Sequence, residues 1–275
     1  MTAPGREDPD RRLFAEQLKA MREHAGLSRD ELGSRIGYSG STIANIETMY
    51  RAATPDQARR LDEAFGLPGI FARIEERLHG VPFSAGFRPF HPYEAEARSL
   101  RMFQHVLIPG LFQTEAYARA ILETHPNTTD DQISDRVTGR LDRQAILDRD
   151  TPPPPLLWVL LDENVLHRNV GGAKVMQDQL AHLAQMAQRP NITVQVIPAA
   201  RPHPGLLGAF VIAQMGDGRS VVYLETAASG QTADDADTCA EITLMFDTLR
   251  TEALPGSASQ SLIERHAEEW NQAAP

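Results

Sequence analysis

Cysteine is nearly absent from this chain: Cys239 stands alone among 275 residues, which excludes an internal disulfide and a cysteine-built metal cage. Lysine is almost as scarce, with Lys19 and Lys174 set against 25 arginines, a bias that fits a GC-rich genome. Long apolar runs are missing too. The strongest, Leu156 to Leu161, is far shorter than the roughly 20 residues that a membrane-spanning helix needs. The opening residues are polar and acidic with no apolar stretch behind them, so no secretory signal is visible and a soluble cytoplasmic protein is expected. The nine histidines form neither H-x-x-x-H nor H-E-x-x-H, and no phosphate-binding Gly-rich loop occurs, so neither metal nor cofactor is expected.

What is present is enough apolar residue, 41%, to build a core, in a length that favours two domains over one. The net charge of −10 argues at first against a nucleic-acid partner, but it is unevenly spread. Residues 1–79 hold 12 basic and 13 acidic side chains, whereas 80–275 hold 15 and 24. The N-terminal part is therefore close to neutral. A few well-placed arginines and helix N-termini can hold phosphates without a large positive charge.

The first 79 residues read as a bundle of five short helices. Phe14, Leu18, Met21 and Ala25 recur at helical spacing from about Asp10 to His24, and Gly26 closes that helix. Ser28 and Glu31 form a capping box for a second helix with Leu32 and Ile36 inside; Gly37 follows as a helix stop. Ser39 caps a third helix carrying Ile43 and Ile46. Thr54-Pro55-Asp56-Gln57 opens a fourth, with Ala58, Leu61 and Phe65 inward and Gly66 at its end, and a fifth covers Leu67 to Leu78. The small residue Gly33, the turn residue Gly37 and the Ile43/Ile46 pair have the spacing of a helix-turn-helix, whose second helix enters the major groove.

The segment LSRDELGSRIGYSGSTIANIE resembles the motif of the Cro/CI-type (XRE) regulators. The resemblance implies binding to double-stranded DNA. The outward face of the third helix would present Ser39, Gly40, Ser41, Thr42 and Asn45, hydroxyls suiting phosphates or base edges and the amide suiting adenine best. Arg29 opens the second helix, where the family commonly touches the backbone or a base; Arg35 and Arg51 are candidates for phosphate contacts, with plain solvated arginines as the alternative. Two departures stand out. Gly33 occupies a position where the family usually has Ala, and Thr48-Met49-Tyr50-Arg51 replaces the Gly-containing turn that often follows the third helix.

A short segment, His79-Gly80-Val81-Pro82, separates the halves, and 80–275 reads as an α+β domain with a small mixed sheet. Helices are expected over 91–99, from Thr114, over Asp131–Asp148 until four prolines stop it, before Pro190, and near 233–250 and 257–272, the last capped by Ser257 with Gln260. Strands are expected over Arg101–Ile108, Leu156–Leu161, Ile192–Val196, Ala209–Gln214 and Ser220–Leu224, the last two joined by a Gly216-Asp217-Gly218 hairpin. One parallel and one antiparallel pair are foreseen. The stretches IPGLFQTEAYARAIL, RLDRQAILDRD, LLWVLLDENVLHRNVGG and PNITVQVIP resemble the C-terminal domain of actinobacterial WhiJ-like regulators, often classed as antitoxin-like. That resemblance runs from Phe83 to Ala267 and implies a small BldB-like partner protein that modulates DNA affinity.

No active site emerges from the residues. Asp162-Glu163 follows a strand, where such residues more often cap the next helix; a pocket gathering them with a histidine would be needed for catalysis. His203 reads as an exposed loop residue, Cys239 as inert core, and Arg140, Asp142 and Arg143 as an exposed charged face, with anchors in a partner groove as the alternative. The expectation is thus a non-enzymatic, dimeric transcriptional regulator on a pseudo-palindromic operator, its acidic domain serving self-association and partner docking. A protein adaptor with a vestigial head, or a small-molecule sensor with a pocket between sheet and helices, are the rivals.

Overall fold

The computed structural model describes residues 9–79, 87–125, 128–200, 202–226 and 230–273. The chain divides into two units, 1–81 and 82–275. The expected linker at Gly80-Val81-Pro82 lies outside the described residues.

The first unit holds helices α1 (Pro9–His24), α2 (Arg29–Ile36), α3 (Gly40–Glu47), α4 (Pro55–Phe65) and α5 (Ile70–His79). Their apolar stripes meet in one core of Phe14, Leu18, Leu32, Ile36, Ile43, Ile46, Leu61 and Phe71. Both expected capping boxes form, Ser28 with Glu31 and Thr54 with Gln57, and Gly37 and Gly66 end their helices in the left-handed conformation. α5 starts three residues later than expected. The buried Asp62 carboxylate accepts the backbone N–H groups of Phe71 and Ala72, each at 2.8 Å, and so fixes its first turn.

The second unit is a six-stranded mixed sheet with helices against it. Its elements are α6 (His91–Glu96), β1 (Ser99–Gln104), α7 (Glu115–Leu122), α8 (Asp130–Arg143), β2 (Leu156–Asp162), α9 (Asn164–His167), α10 (Ala173–Met186), β3 (Ile192–Ile197), β4 (Phe210–Gln214), β5 (Ser220–Leu224), β6 (Gln231–Ala233), α11 (Ala236–Glu252) and α12 (Gly256–Gln272). The strand order is β3-β2-β1-β4-β5-β6; β1, β2 and β3 run parallel and the other pairs antiparallel. Leu157, Val159 and Leu161 of β2 join the core under α10 and α12, while Trp158 and Leu160 join the one under α11. Period-two alternation thus feeds two apolar layers, as a central parallel strand requires.

Several expectations are corrected. Ser99 belongs to β1 rather than to a helix, because it pairs with Leu156 on one side and Gln214 on the other. There are two parallel pairs, not one, and β6 was unforeseen, its three residues being too few to carry a pattern. α8 ends at Arg143 and tightens into a 3-10 turn through Leu147. Ser257 does not cap α12: the helix starts at Gly256 behind Pro255, and no side chain caps it.

Candidate nucleic-acid interface

α2 and α3 meet at the turn Gly37-Tyr38-Ser39, with Gly37 at φ +77°. Gly33 faces that turn so closely that a Cβ on it would lie 2.7 Å from Ser39 C and 2.8 Å from Tyr38 O. Both are backbone atoms, so even alanine would force the helices apart. The closeness of this crossing therefore requires glycine at position 33. A Cβ on Gly40 would overlap Asp30 Oδ1, which gives Gly40 a packing role at the start of α3.

Ser39 caps α3 as expected, its Oγ accepting the Thr42 N–H at 3.2 Å. The Ser39, Ser41 and Thr42 hydroxyls share hydrogen bonds of 2.8 and 3.0 Å, forming a polar patch on the first turn. Ser39 and Ser41 are exposed, while Gly40, Thr42 and Asn45 are half-buried; Ile43 and Ile46 are buried beneath them. Arg35 and Arg51 are exposed.

Arg29 is placed differently from its neighbours. Its Nε donates to Glu47 Oε2 at 2.8 Å, although 45% of its side chain remains exposed. The same carboxylate, 1% exposed, accepts from Arg22 Nε at 2.5 Å. Glu47 therefore ties α1, α2 and the end of α3 together. Burial by itself would raise the Glu47 pKa, but hydrogen bonds from Arg22 and Arg29, with their charges, outweigh it and hold the carboxyl below the usual range. The Glu47 hydrogen bond correspondingly raises Arg22.

The loop after α3 turns on Met49 at φ +57°, the one non-glycine left-handed residue among those described. Its conformation folds the Tyr50 and Arg51 N–H groups back onto Asn45 O, at 2.9 and 3.1 Å. Tyr50, 78% exposed, lies beside Arg51 at the end of α3. Helical periodicity does not single it out; the signal is an aromatic placed directly after a helix with no apolar stripe to join, and its hydroxyl suits a phosphate.

Elsewhere the structure gathers polar groups that the sequence scattered. His203, expected on the surface, is buried, its Nε2 2.9 Å from Asp162 Oδ2. Asp162 Oδ1 also accepts the N–H of Asn164, the first residue of α9, whereas Glu163 stands at the N-cap position and makes no capping bond. The His203 and Asp162 side chains are only 3% exposed, which closes the pair to substrate. Glu163 lies instead with His167 and His266, their ligand-capable atoms within 4.8 Å of one another. The absence of H-x-x-x-H concealed this group, because the third member comes from α12; the i, i+4 spacing of Glu163 and His167 was its legible trace. Arg140 and Arg143 do not form an exposed face. Arg140 donates to Gln113 Oε1 at 2.7 Å, and burial, reinforced by Arg143, lowers its pKa to about 10. Arg143 lies over Phe87 and 3.0 Å from the buried Glu94 carboxylate. Cys239 is buried as expected, and burial raises its thiol pKa.

Residues 13–70 match the family described as a helix-turn-helix domain. Residues 87–265, more than half of the chain, match the domain of unknown function DUF5753. No curated protein and no solved structure matches the chain. No helix among the described residues is long and apolar enough to cross a membrane.

Proposed function

Because the chain belongs to the DUF5753 family and opens with a helix-turn-helix domain, that of a DNA-binding regulator, we propose that it binds a pseudo-palindromic operator as a dimer and reads it with α3. The observation that carries this reading is the pinned α2–α3 crossing, which leaves Ser41, Thr42 and Asn45 along the outward side of α3. Arg35, Arg51 and Tyr50 flank that surface as phosphate contacts, and Arg29 contributes through the exposed part of its guanidinium. Dimerisation supplies the second half-site, about 34 Å along the duplex.

The acidic second unit suits docking of a small, basic partner of the BldB-like kind, steered by its negative field. Leu207, 92% exposed, and Leu244 of α11, 69% exposed, offer apolar surface for self-association. With the WhiJ-like resemblance, these features support an XRE-type, antitoxin-like regulator working in the cytoplasm. A protein adaptor is the second reading, favoured by the engagement of Arg29 with Glu47.

The test is operator binding by Thr42→Ala and Asn45→Ala at fixed salt, using the region upstream of the chain's own gene. A true base contact costs about 1–3 kcal/mol when removed, with the far-UV spectrum unchanged. Wild-type affinity in both variants removes α3 from the reading role. Affinity that does not fall with salt favours the adaptor.

A further inference from the structure

The chain leaves β2 at Asp162 and turns through Glu163 into α9, which ends at His167. α12 lies against α9 there, with Trp270 Nε1 donating to Leu166 O at 2.9 Å. That contact brings His266 to His167, with ring centroids 4.3 Å apart and planes at 74°. His266 is 7% exposed at its side chain, and its Nδ1 lies 2.8 Å from Glu269 Oε2. Its Nε2 is buried without a hydrogen-bond partner. A buried ring nitrogen left unpartnered is costly, and buried polar atoms are nearly always satisfied by something.

We propose that Glu163, His167 and His266 bind a first-row transition-metal ion such as Zn²⁺, with Glu269 as the residue that orients His266. Two imidazoles and one carboxylate are a donor set for this class of ion rather than for Mg²⁺ or Ca²⁺, which prefer oxygen alone. Glu269 already occupies Nδ1, so Nε2 is the nitrogen left for the metal; a carboxylate behind a ligating histidine fixes its tautomer and ring plane. Glu163 Oε2 accepts the Ala199 N–H at 2.9 Å, an anchoring that orients the carboxylate. The present separations, up to 4.8 Å, exceed the roughly 3.4 Å between ligands of a tetrahedral site with bonds near 2.05 Å. Rotation of the exposed His167 side chain supplies the closure. Bound there, the ion links the carboxyl end of β2 to the last helix. Every residue involved lies in unit 82–275, so the inference stands apart from the reading of the DNA-binding head.

The test uses the untagged full chain, stripped with a chelator and titrated separately with Zn²⁺ and Co²⁺. One equivalent is expected to bind, with the visible absorption of a low-coordinate Co²⁺ complex and a melting temperature that climbs with free Zn²⁺. His167→Ala, at an exposed position, and Glu163→Gln, which at its half-buried position keeps an oxygen to accept the Ala199 N–H, should each lower affinity at least about tenfold while leaving the metal-free melting temperature near that of the parent. Glu269→Gln, a positioning change, should keep one equivalent but shift the Co²⁺ absorption and weaken binding about 10–100-fold. Failure to saturate at one equivalent overturns the proposal. So does saturation with parental affinity in both His167→Ala and Glu163→Gln, which would assign the ion to scattered surface histidines.

Discussion

At Met49 a β-carbon is held where glycine is at ease. The left-handed conformation costs an ordinary L-residue about 1–2 kcal/mol relative to its preferred region, and among the described residues Met49 is not one of the side chains that form the helix-turn-helix core. What the loop needs is the reversal that delivers the Tyr50 and Arg51 N–H groups to Asn45 O. Met49→Gly keeps that reversal and removes the strain, offset in part by the greater freedom of glycine in the unfolded chain. The expected result is a gain of about 0.5–1 kcal/mol in urea unfolding followed by far-UV circular dichroism, with operator affinity unchanged. A loss of stability would show that the Met49 side chain carries packing that outweighs its strain. Gly33 is the opposite case: its φ is ordinary, and the requirement comes from backbone atoms of the next element standing where a Cβ would go.

Among the elements of the head, α3 is pinned from two sides: by the apolar pair Ile43 and Ile46 beneath it, and by Glu47 at its end, which binds Arg22 of α1 and Arg29 of α2. Glu47→Gln strips the charge from a site where Arg22 is buried, and removing one partner of a buried pair costs about 3 kcal/mol. The folded Glu47 pKa is lowered, so the stabilisation is present above the unfolded carboxylate value, near 4.3, and is lost as pH falls through the folded value. The difference between parent and Glu47→Gln should therefore be full at pH 7 and shrink towards zero below about pH 4. A gap that stays constant down to pH 3 would mean that Glu47 acts through shape alone. Legibility follows the same physics. Caps and turn glycines in the head could be read because Ser28, Thr54, Gly37 and Gly66 act on their immediate neighbours. Glu47 could not, because its partners are 25 and 18 residues away. In the second unit the apolar runs of β2 to β5 announced strands, but their order did not, and Arg140 and Arg143 looked exposed because charge alone says nothing of Gln113 or Glu94. The polar face of α3 was legible from spacing; the grouping of Glu163 with His266 was not, since a separation of 103 residues leaves no periodic mark.

Over the whole molecule, the two units have separate cores and unequal charge, and their aromatic content separates them experimentally. Both tryptophans, Trp158 and Trp270, belong to 82–275, so tryptophan fluorescence reports that unit, whereas the helical signal comes from both. Among the described residues the core of the head holds about eleven buried apolar side chains, so its stability rests on few contacts and is sensitive to one lost ion pair. The larger unit packs helices on both faces of a sheet and has far more apolar area to lose. Urea should therefore unfold the head first: ellipticity at 222 nm begins to fall while the tryptophan signal remains native. Glu47→Gln should move this early ellipticity change to lower urea and leave the fluorescence midpoint in place. Coincident transitions that shift together in the variant would instead show the 275 residues unfolding as one cooperative body, and then an effector bound to the second unit could act on DNA affinity through shared stability alone.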